Sequence, residues 1–261
     1  MLGYGGQTES HDRTWGQNAL FAAFAIGLAG LLAYQVNWEL IGSLDFSVVW
    51  EYRLPLLKGL GTTLLLTAIA GVLGIFFGTI LAILSQSPFA PLRWAVVAYV
   101  EVFRNTPLLV QLIWLHFALP AFTGINTTAL ESGILAITLQ AGAYFTEIVR
   151  AGIEAVPKGQ WEAAYALGLP DWTRWTRVIL PPALRIMIPP LVNLIISFFK
   201  ASAILSILQV SELMTVTNRI SNVTFKPIEL FTATAAIYFV LGYIMSQATL
   251  RIERVLQRSQ R

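Results

Sequence analysis

Three polar residues, Asn193, Ser197 and Lys200, follow one another inside a long apolar run of the chain. Offsets of four and seven residues place their side chains on one face of a helix. An ammonium group in hydrocarbon needs water, a partner or an anionic group, because a lone charge there is costly. The stripe therefore suits either a polar path across a membrane or hydrogen bonding between packed helices, and the sequence leaves both open.

A second polar stripe occurs earlier in the chain, at Gln140, Tyr144 and Glu147. These residues also lie four and seven apart, so they share a helix face that must look into protein or water. Gln140 and Tyr144 fit a pore lining and interhelical hydrogen bonding equally well. The two stripes lie on the apolar runs that flank one polar loop, which is the arrangement a translocation path would require.

Two charged pairs at helical spacing are candidates for structural ion pairs. Glu147 and Arg150 are three residues apart, as are Glu101 and Arg104. For the second pair an alternative stays open, in which a short helix carrying Glu101 and Arg104 adds to a docking surface on the cytoplasmic side.

The polar loop itself, residues 158–181, reads KGQWEAAYALGLPDWTRWTRVILP. Good helix formers run from residue 159 to 167, Gly168 suits a left-handed helix cap, and Pro170 prevents continuation. Asp171 is predicted to cap a second short helix. A short helix that exposes alanines and ends at glycine can enter a groove on a soluble partner, and the contact residues predicted from this pattern are Glu162, Ala163, Ala164 and Gly168.

The elements that position these residues are predicted to be membrane spans. The chain of 261 residues is 56% hydrophobic and only 12% charged, with a mean hydropathy of +0.67, whereas soluble domains are about 25% charged. Since roughly 20 residues cross a bilayer as helix, about six spans fit an all-α membrane protein. The apolar runs are 19–35, 59–92, 105–130, 132–146, 186–199 and 230–250.

Prolines and glycines refine this prediction. Gly71, Gly74 and Gly78 form a small-residue stripe that lets a neighbouring helix approach closely. The pairs Pro181-Pro182 and Pro189-Pro190 are expected to bend or interrupt the entry to the fifth span.

The distribution of lysine and arginine predicts the orientation. With a cytoplasmic N-terminus, most of the 17 basic residues fall on the cytoplasmic side. Arg53, Lys58, Arg219 and Lys226 fall on the other side, and Lys200 lies within a span. The polar loop and both termini are therefore expected in the cytoplasm of a multi-pass protein.

Several motifs together resemble the permease subunits of polar amino acid ABC importers. The spacing from Glu162-Ala163-Ala164 through Gly168 to Val178, Leu180 and Pro181 resembles the EAA coupling loop, with valine at the more usual isoleucine position. The segments RNTPLLVQL at 104–112 and LPPALRIMIPPLVNLIISFFKASAI at 180–204 agree with it. The resemblance covers about residues 57–250.

The resemblance implies a type I importer permease core of five helices, preceded here by an extra N-terminal helix. Its implied divisions are an N-terminal segment, 1–55, the permease domain, 57–250, and a basic cytoplasmic tail, 251–261. It also implies a bacterial inner-membrane location and a chain that is not an enzyme and has no cofactor of its own. ATP and Mg would bind a cytoplasmic ATPase dimer, a second permease subunit would complete the path, and an extracytoplasmic binding protein would deliver a polar amino acid.

Two other classes compete with this interpretation. An ion-gradient-driven amino acid transporter would also contain Lys200 and Glu147 within its spans, but it leaves the EAA spacing unexplained. A membrane enzyme would need clustered titratable residues, and two histidines without any cysteine make a metal site unfavourable. No catalytic residue and no metal ligand is therefore predicted.

Overall fold

A computed structural model describes residues 18–258 except 19, 25, 29, 32 and 33, with side chains described as far as residue 254. The chain forms two units, Met1–Asp45 and Phe46–Arg261. In the first unit the described residues between 18 and 35 are helical, and a short helix α1, Trp38–Ser43, follows. The Asn37 side chain caps α1 by accepting the Leu40 amide at 3.0 Å.

Parts of the predicted N-terminal segment cannot be compared with the structure. The predicted first span includes residues 19, 25, 29, 32 and 33, which lie outside the described residues, as do the tail before residue 18 and residues 259–261 at the other end. The division between the two units falls inside the predicted segment 1–55.

The second unit is helical along nearly all of its described length. Its α-helices are α2 (Ser47–Glu51), α3 (Arg53–Leu84), α4 (Ala90–Asn105), α5 (Leu108–Ile113), α6 (Leu119–Thr123), α7 (Ala129–Glu154), α8 (Lys158–Ala166), α9 (Asp171–Thr173), α10 (Leu180–Ala201), α11 (Leu213–Thr224) and α12 (Pro227–Arg258). Three tighter or wider turns extend them: π-helical turns at Trp114–Ala118 and Arg174–Ile179, and a 3₁₀ segment at Ser202–Leu208.

Within the described residues, four helical stretches are long and apolar enough to cross a membrane. They are Arg53–Leu84, Ala129–Glu154, Asp171–Leu208 and Pro227–Arg254, and a bent pair of helices raises the number to five if the pair counts as one span. Five agrees with the expected permease core.

The bent pair shows the shape of the predicted third span. The sequence predicts a short helix that carries Glu101 and Arg104, and then the apolar run 105–130. The structure has a helix of 16 residues, α4, followed by the segment Leu108–Thr123, and the two meet at an angle of 107°. Pro107 explains the break, since its ring blocks the helix before it and it has no amide hydrogen to donate.

Helix α7 lies at the centre of the unit, where it packs against α3, α4, α5 and α10. The close approach of α3 depends on two glycines of the predicted stripe. A Cβ atom on Gly74 would lie 2.6 Å from the Phe145 ring, and one on Gly78 would lie 2.8 Å from the Thr146 amide nitrogen. Phe145 is fully buried in this contact, so the glycines set the distance between the two spans.

Of the two effects expected from the prolines, a bend or an interruption of the helix, interruption of α10 does not occur. Pro189 and Pro190 lie inside α10, which runs without a break from Leu180 to Ala201. Pro181 falls in the first turn of α10, directly after the π-helical turn Arg174–Ile179, so its missing amide hydrogen lies where the type of helix changes. The helix departs from regular α geometry just before these residues, at the π-helical turn Arg174–Ile179.

Candidate coupling and translocation sites

The polar loop folds as the helix α8 and a cap that the sequence predicted correctly. Gly168 has a left-handed φ of 64°, and its amide donates to the Tyr165 carbonyl at 2.9 Å. The Leu169 amide donates to the Ala164 carbonyl at 3.2 Å. Paired bonds of this kind form a Schellman motif, whose left-handed position favours glycine.

Arg174 joins the end of α8 to the segment that follows the cap. Its guanidinium carbon lies 3.7 Å from the centre of the Tyr165 ring, and its Nη2 donates to the Leu169 carbonyl at 3.1 Å. Asp171 does not cap the second helix as expected. It is the first residue of α9, and its carboxylate pairs with Arg174 at 2.9 Å. The loop is therefore a preformed structure in the free chain.

The exposed side of the loop differs from the predicted contact set at one residue. Glu162, Ala163 and Gly168 are exposed, but Ala164 is only 2% exposed. Ala164 instead faces the interior of the loop, so its small side chain serves packing. The reason is geometric: a helix of nine residues lying on a membrane domain must bury one side.

Two large apolar side chains that the sequence analysis did not select stand out beside Gly168. Leu167 is 75% exposed and Trp172 is 79% exposed. Their neighbours Trp161 and Trp175 pack edge to face at 5.2 Å and anchor the loop on a buried cluster that includes Ile153 and Ile179. Their large apolar side chains could have identified Leu167 and Trp172 in the sequence, because exposed apolar residues beside a helix cap indicate a contact surface.

The predicted pair of Glu147 and Arg150 is present near the C-terminal end of α7, and Arg150 also binds Glu154 at 2.7 Å. The pair of Glu101 and Arg104 is absent. Glu101 instead accepts from the Asn105 side chain at 2.7 Å.

Arg104 turns away from its own helix, α4. It approaches Glu147 to 3.7 Å and lies over the Tyr144 ring at 5.6 Å. Both partners of the expected pair therefore bind other residues, Glu101 within α4 and Arg104 on α7.

Gln140 and Tyr144 take part in interhelical hydrogen bonding at the bend between α4 and α5. Gln140 donates to the Thr106 carbonyl at 3.2 Å, and Tyr144 donates to the Arg104 carbonyl at 3.3 Å. Gln111, which the sequence analysis did not select, donates to the carbonyls of Phe103 at 2.8 Å and Thr106 at 2.9 Å. Carbonyls at a break in a membrane helix need such partners, because lipid provides none.

The stripe on α10 is more exposed than Gln140 and Tyr144. Asn193, Ser197 and Lys200 are all exposed in the chain, and the Ser197 hydroxyl donates to the Asn193 carbonyl at 3.1 Å. Lys200 borders a cavity of about 400 Å³ between the end of α10 and α12. The other residues that line it are Ala203, Tyr238, Phe239, Gly242, Tyr243 and Ser246.

The structure does not bring the two stripes together. Tyr144 meets α10 through Phe198, with ring centres 6.4 Å apart, whereas Ser197 and Lys200 are directed elsewhere. No group of three or more His, Cys, Asp or Glu side chains that could hold a metal ion occurs in the part of the chain that the structure describes. The arrangement can bind a soluble partner at the loop and admit a polar molecule beside Lys200.

Comparison with known proteins gives a consistent set of matches. A family model described as "Binding-protein-dependent transport system inner membrane component" matches residues 74–258. The arginine transport system permease protein ArtQ of Bacillus subtilis (strain 168) is 34% identical over 215 residues, which are 82% of this chain and 98% of the relative. The L-cystine permease TcyB of the same organism is 36% identical, covering 83% and 93%. The glutamate/aspartate permease GltK of Escherichia coli O157:H7 is 34% identical, covering 80% and 93%.

Two solved structures extend the comparison. A chain from the crystal structure of an amino acid ABC transporter with histidines has a TM-score of 0.77 and 36% identity, and the match covers 81% of this chain and 99% of that one. A chain from the inward-facing MetNI methionine transporter has a TM-score of 0.67 at 22% identity, covering 79% and 98%, and supports the fold alone.

Proposed function

Because the chain belongs to the binding-protein-dependent transport system inner membrane component family, we propose that it is the membrane-spanning subunit of an ATP-driven importer of polar amino acids. The relatives named for arginine, L-cystine and glutamate/aspartate support this substrate class. The chain is a multi-pass membrane protein and not an enzyme, since ATP hydrolysis in such importers occurs on a separate subunit. The comparisons favour this function over a transporter driven by an ion gradient.

The observation that carries the proposal is the preformed loop with its exposed face at Glu162, Ala163, Leu167, Gly168 and Trp172. A cytoplasmic ATPase would receive this face in a groove, with Leu167 and Trp172 as apolar anchors. The loop is continuous with the span Asp171–Leu208 through the π-helical turn. Closure of the ATPase would therefore move the span as a rigid body and shift the protein between inward-open and outward-open states.

The remaining parts of the importer follow from the same premise. The loop and both termini face the cytoplasm, ATP and Mg bind the ATPase, and an extracytoplasmic binding protein delivers the substrate. A second permease subunit, identical or related, completes the path. The stripe of Asn193, Ser197 and Lys200 lines that path, because an exposed lysine beside a cavity is stabilised there by water or by a substrate carboxylate.

Transport by the purified complex tests the function. The chain would be reconstituted into proteoliposomes with its ATPase and binding protein, and uptake of radiolabelled L-arginine, L-cystine, L-glutamate and L-glutamine would be measured. We expect uptake of at least one of them that requires ATP inside the vesicle and persists when a protonophore removes the ion gradient. Uptake that continues without ATP and disappears with the gradient would overturn the proposal.

A further inference from the structure

A carboxyl group is buried between the span Asp171–Leu208 and α11, and among the described residues no cationic side chain pairs with it. Glu212 is 0% exposed and occupies the N-cap position of α11. It accepts the Thr215 amide at 2.6 Å, the Met214 amide at 2.9 Å and the Thr215 hydroxyl at 3.0 Å. The residue thus provides the hydrogen bonds that the free amides at the start of α11 require.

Glu212 also joins α11 to two other helices. Its Oε2 lies 3.3 Å from the Tyr238 hydroxyl of α12 and 3.5 Å from the Thr63 hydroxyl of α3. The Thr63 oxygen in turn accepts the Leu213 amide at 3.1 Å. Tyr238 is the titratable group of α12 that faces Glu212. The partners of Glu212 on α3 and α11 are hydroxyl and amide groups. No ion pair to Glu212 occurs among the described residues. One buried carboxyl group therefore holds α11 against α3 and α12.

The fit of α11 against α3 leaves no spare room. A Cβ atom on Gly59 would lie 3.1 Å from the Leu213 Cα atom and 3.2 Å from the Glu212 carbonyl oxygen. The helix also begins and ends near non-glycine residues in the left-handed region, since Gln209 has a φ of 58° and Phe225 a φ of 55°. Such conformations persist only where the surrounding contacts enforce them. The position of α11 is thus defined by its contacts with α3 and by the backbone at its two ends.

Tyr238 connects this cluster with the Lys200 cavity. The residue lines the cavity beside Gly242 and Tyr243, and its hydroxyl reaches Glu212 on the other side. A molecule that enters the cavity and turns the Tyr238 side chain must therefore break the bond to Glu212. Because α11 follows the span Asp171–Leu208 and the coupling loop precedes it, α11 lies at the opposite end of that span from the loop.

We propose that Tyr238 and Glu212 are positioning residues that link the Lys200 cavity to α11, so that occupation of the cavity releases α11 from α3. The consequence for transport, which rests on the proposed function, is that the arrival of substrate beside Lys200 loosens the end of the path opposite the coupling loop. The link itself depends only on the contacts of Tyr238, Glu212 and α11.

Hydrogen exchange at α11 tests the link directly in the complex with the ATPase. Tyr238→Phe keeps the ring and removes the hydroxyl, and we expect the Met214 and Thr215 amides to exchange about fivefold faster, as loss of one buried hydrogen bond predicts. Tyr243→Phe, in the same cavity wall, is the matched control and should leave both amides unchanged. Equal exchange in the two variants would overturn the proposal.

A bulky residue in the cavity can replace the unidentified occupant. Ala203→Phe projects a ring into the cavity, so it should accelerate exchange at the same two amides. If it acts through Tyr238, the double variant with Tyr238→Phe should exchange no faster than Tyr238→Phe alone, which is a double-mutant cycle. Additive effects of the two substitutions on exchange would contradict the link. If Ala203→Phe fails to assemble, the comparison of Tyr238→Phe with Tyr243→Phe alone decides whether the link exists.

Gly59→Ala displaces α11 without touching the cavity. The added methyl group should accelerate exchange of the Met214 and Thr215 amides, because the neighbouring backbone atoms of α11 must move. Exchange that stays at the wild-type rate would contradict the tight fit on which the link depends.

The hydrogen-exchange measurements need no substrate, so they are separate from the transport test. Normal uptake by Lys200→Met together with faster exchange in Tyr238→Phe would reject the path assignment and retain the link. Reduced uptake by Lys200→Met together with unchanged exchange in Tyr238→Phe would retain the path assignment and reject the link.

Discussion

The Arg174 guanidinium stacks on the Tyr165 ring with 3.7 Å between its central carbon and the ring centre. Tyr165 belongs to α8 and Arg174 to the π-helical turn that leads into the fifth span. Together with the edge-to-face contact of Trp161 and Trp175, this contact joins the docking helix to the start of the span. Movement of α8 is therefore passed to the span through side-chain packing as well as through the chain connection.

Arg174→Met tests that role, since methionine keeps much of the length and loses the charge. We expect the loop to lose about 1 to 3 kcal/mol from the cation–π contact and the hydrogen bond to Leu169, while the bond to the exposed Asp171 contributes little. The ATPase should co-purify in reduced amount, and hydrolysis should respond weakly to substrate. Arg177→Met, at an exposed position of the same turn, is the control. Equal co-purification of the ATPase by both variants would show that the contact is dispensable.

The packing of α3 on α7 makes a second prediction. Gly78→Ala should destabilise the protein by about 1 to 3 kcal/mol, because the new methyl group meets the backbone of α7 and cannot be accommodated by a side-chain rotation. Gly61→Ala, on the same helix with nothing within 4 Å of the added atom, should be neutral or slightly stabilising. Thermal unfolding of the two variants in detergent measures the difference. A Gly78→Ala protein as stable as Gly61→Ala would show that the helices separate easily.

The features that the sequence predicted well are local. The cap at Gly168, the Glu147–Arg150 pair and the close-packing glycines at 74 and 78 depend on residues within one or two turns, or on the absence of a side chain. Gly168 was predicted as a cap from its residue type, and glycine is the residue that the left-handed position of a Schellman motif favours.

The features that it did not predict depend on contacts between distant segments. The burial of Ala164 follows from how α8 lies on the membrane domain. The 107° angle between α4 and the segment after it occurs where Gln140 and Tyr144 bind carbonyls from another helix. Glu212 looks like an ordinary surface residue in the sequence, and only the packing of α3 and α12 shows that it is enclosed. Pro189 and Pro190 do not interrupt α10, because neighbouring groups in a packed membrane helix can satisfy the backbone carbonyls that a proline leaves free.

Burial of Glu212 predicts a dependence of stability on pH. Removal from water raises the pKa of the Glu212 carboxyl group above its ordinary value of 4.5, although hydrogen bonds from Met214, Thr215 and Tyr238 oppose the shift. The folded chain then holds the proton more tightly than the unfolded chain, so the free energy of unfolding falls as pH rises from about 4.5 and levels off above the raised pKa.

Thermal unfolding of wild-type protein and Glu212→Gln between pH 4 and pH 8 measures this effect. The glutamine variant should lose the part of the pH dependence that comes from Glu212, because its amide does not titrate. Glu131→Gln, at an exposed position near the start of α7, serves as a comparison and should not remove the same fall. Identical pH profiles for wild type and Glu212→Gln would mean that the buried carboxyl group titrates normally.

Thiol labelling tests the assignment of the α10 stripe to the substrate path. The chain contains no cysteine, so single cysteines can be introduced without further changes. Ser197→Cys replaces an exposed residue of the stripe, whereas Ile195→Cys replaces a side chain that lies 3.5 Å from the position of a Cβ on Gly71 of α3. A small, charged thiol reagent that reacts only in water should label the cysteine at 197 and leave the one at 195 largely unmodified. Lys200→Met should lower substrate-stimulated ATP hydrolysis while basal hydrolysis and assembly persist. Equal labelling at both positions, or loss of assembly in Lys200→Met, would show that the stripe is structural, because neither outcome is compatible with a water-filled path beside Lys200.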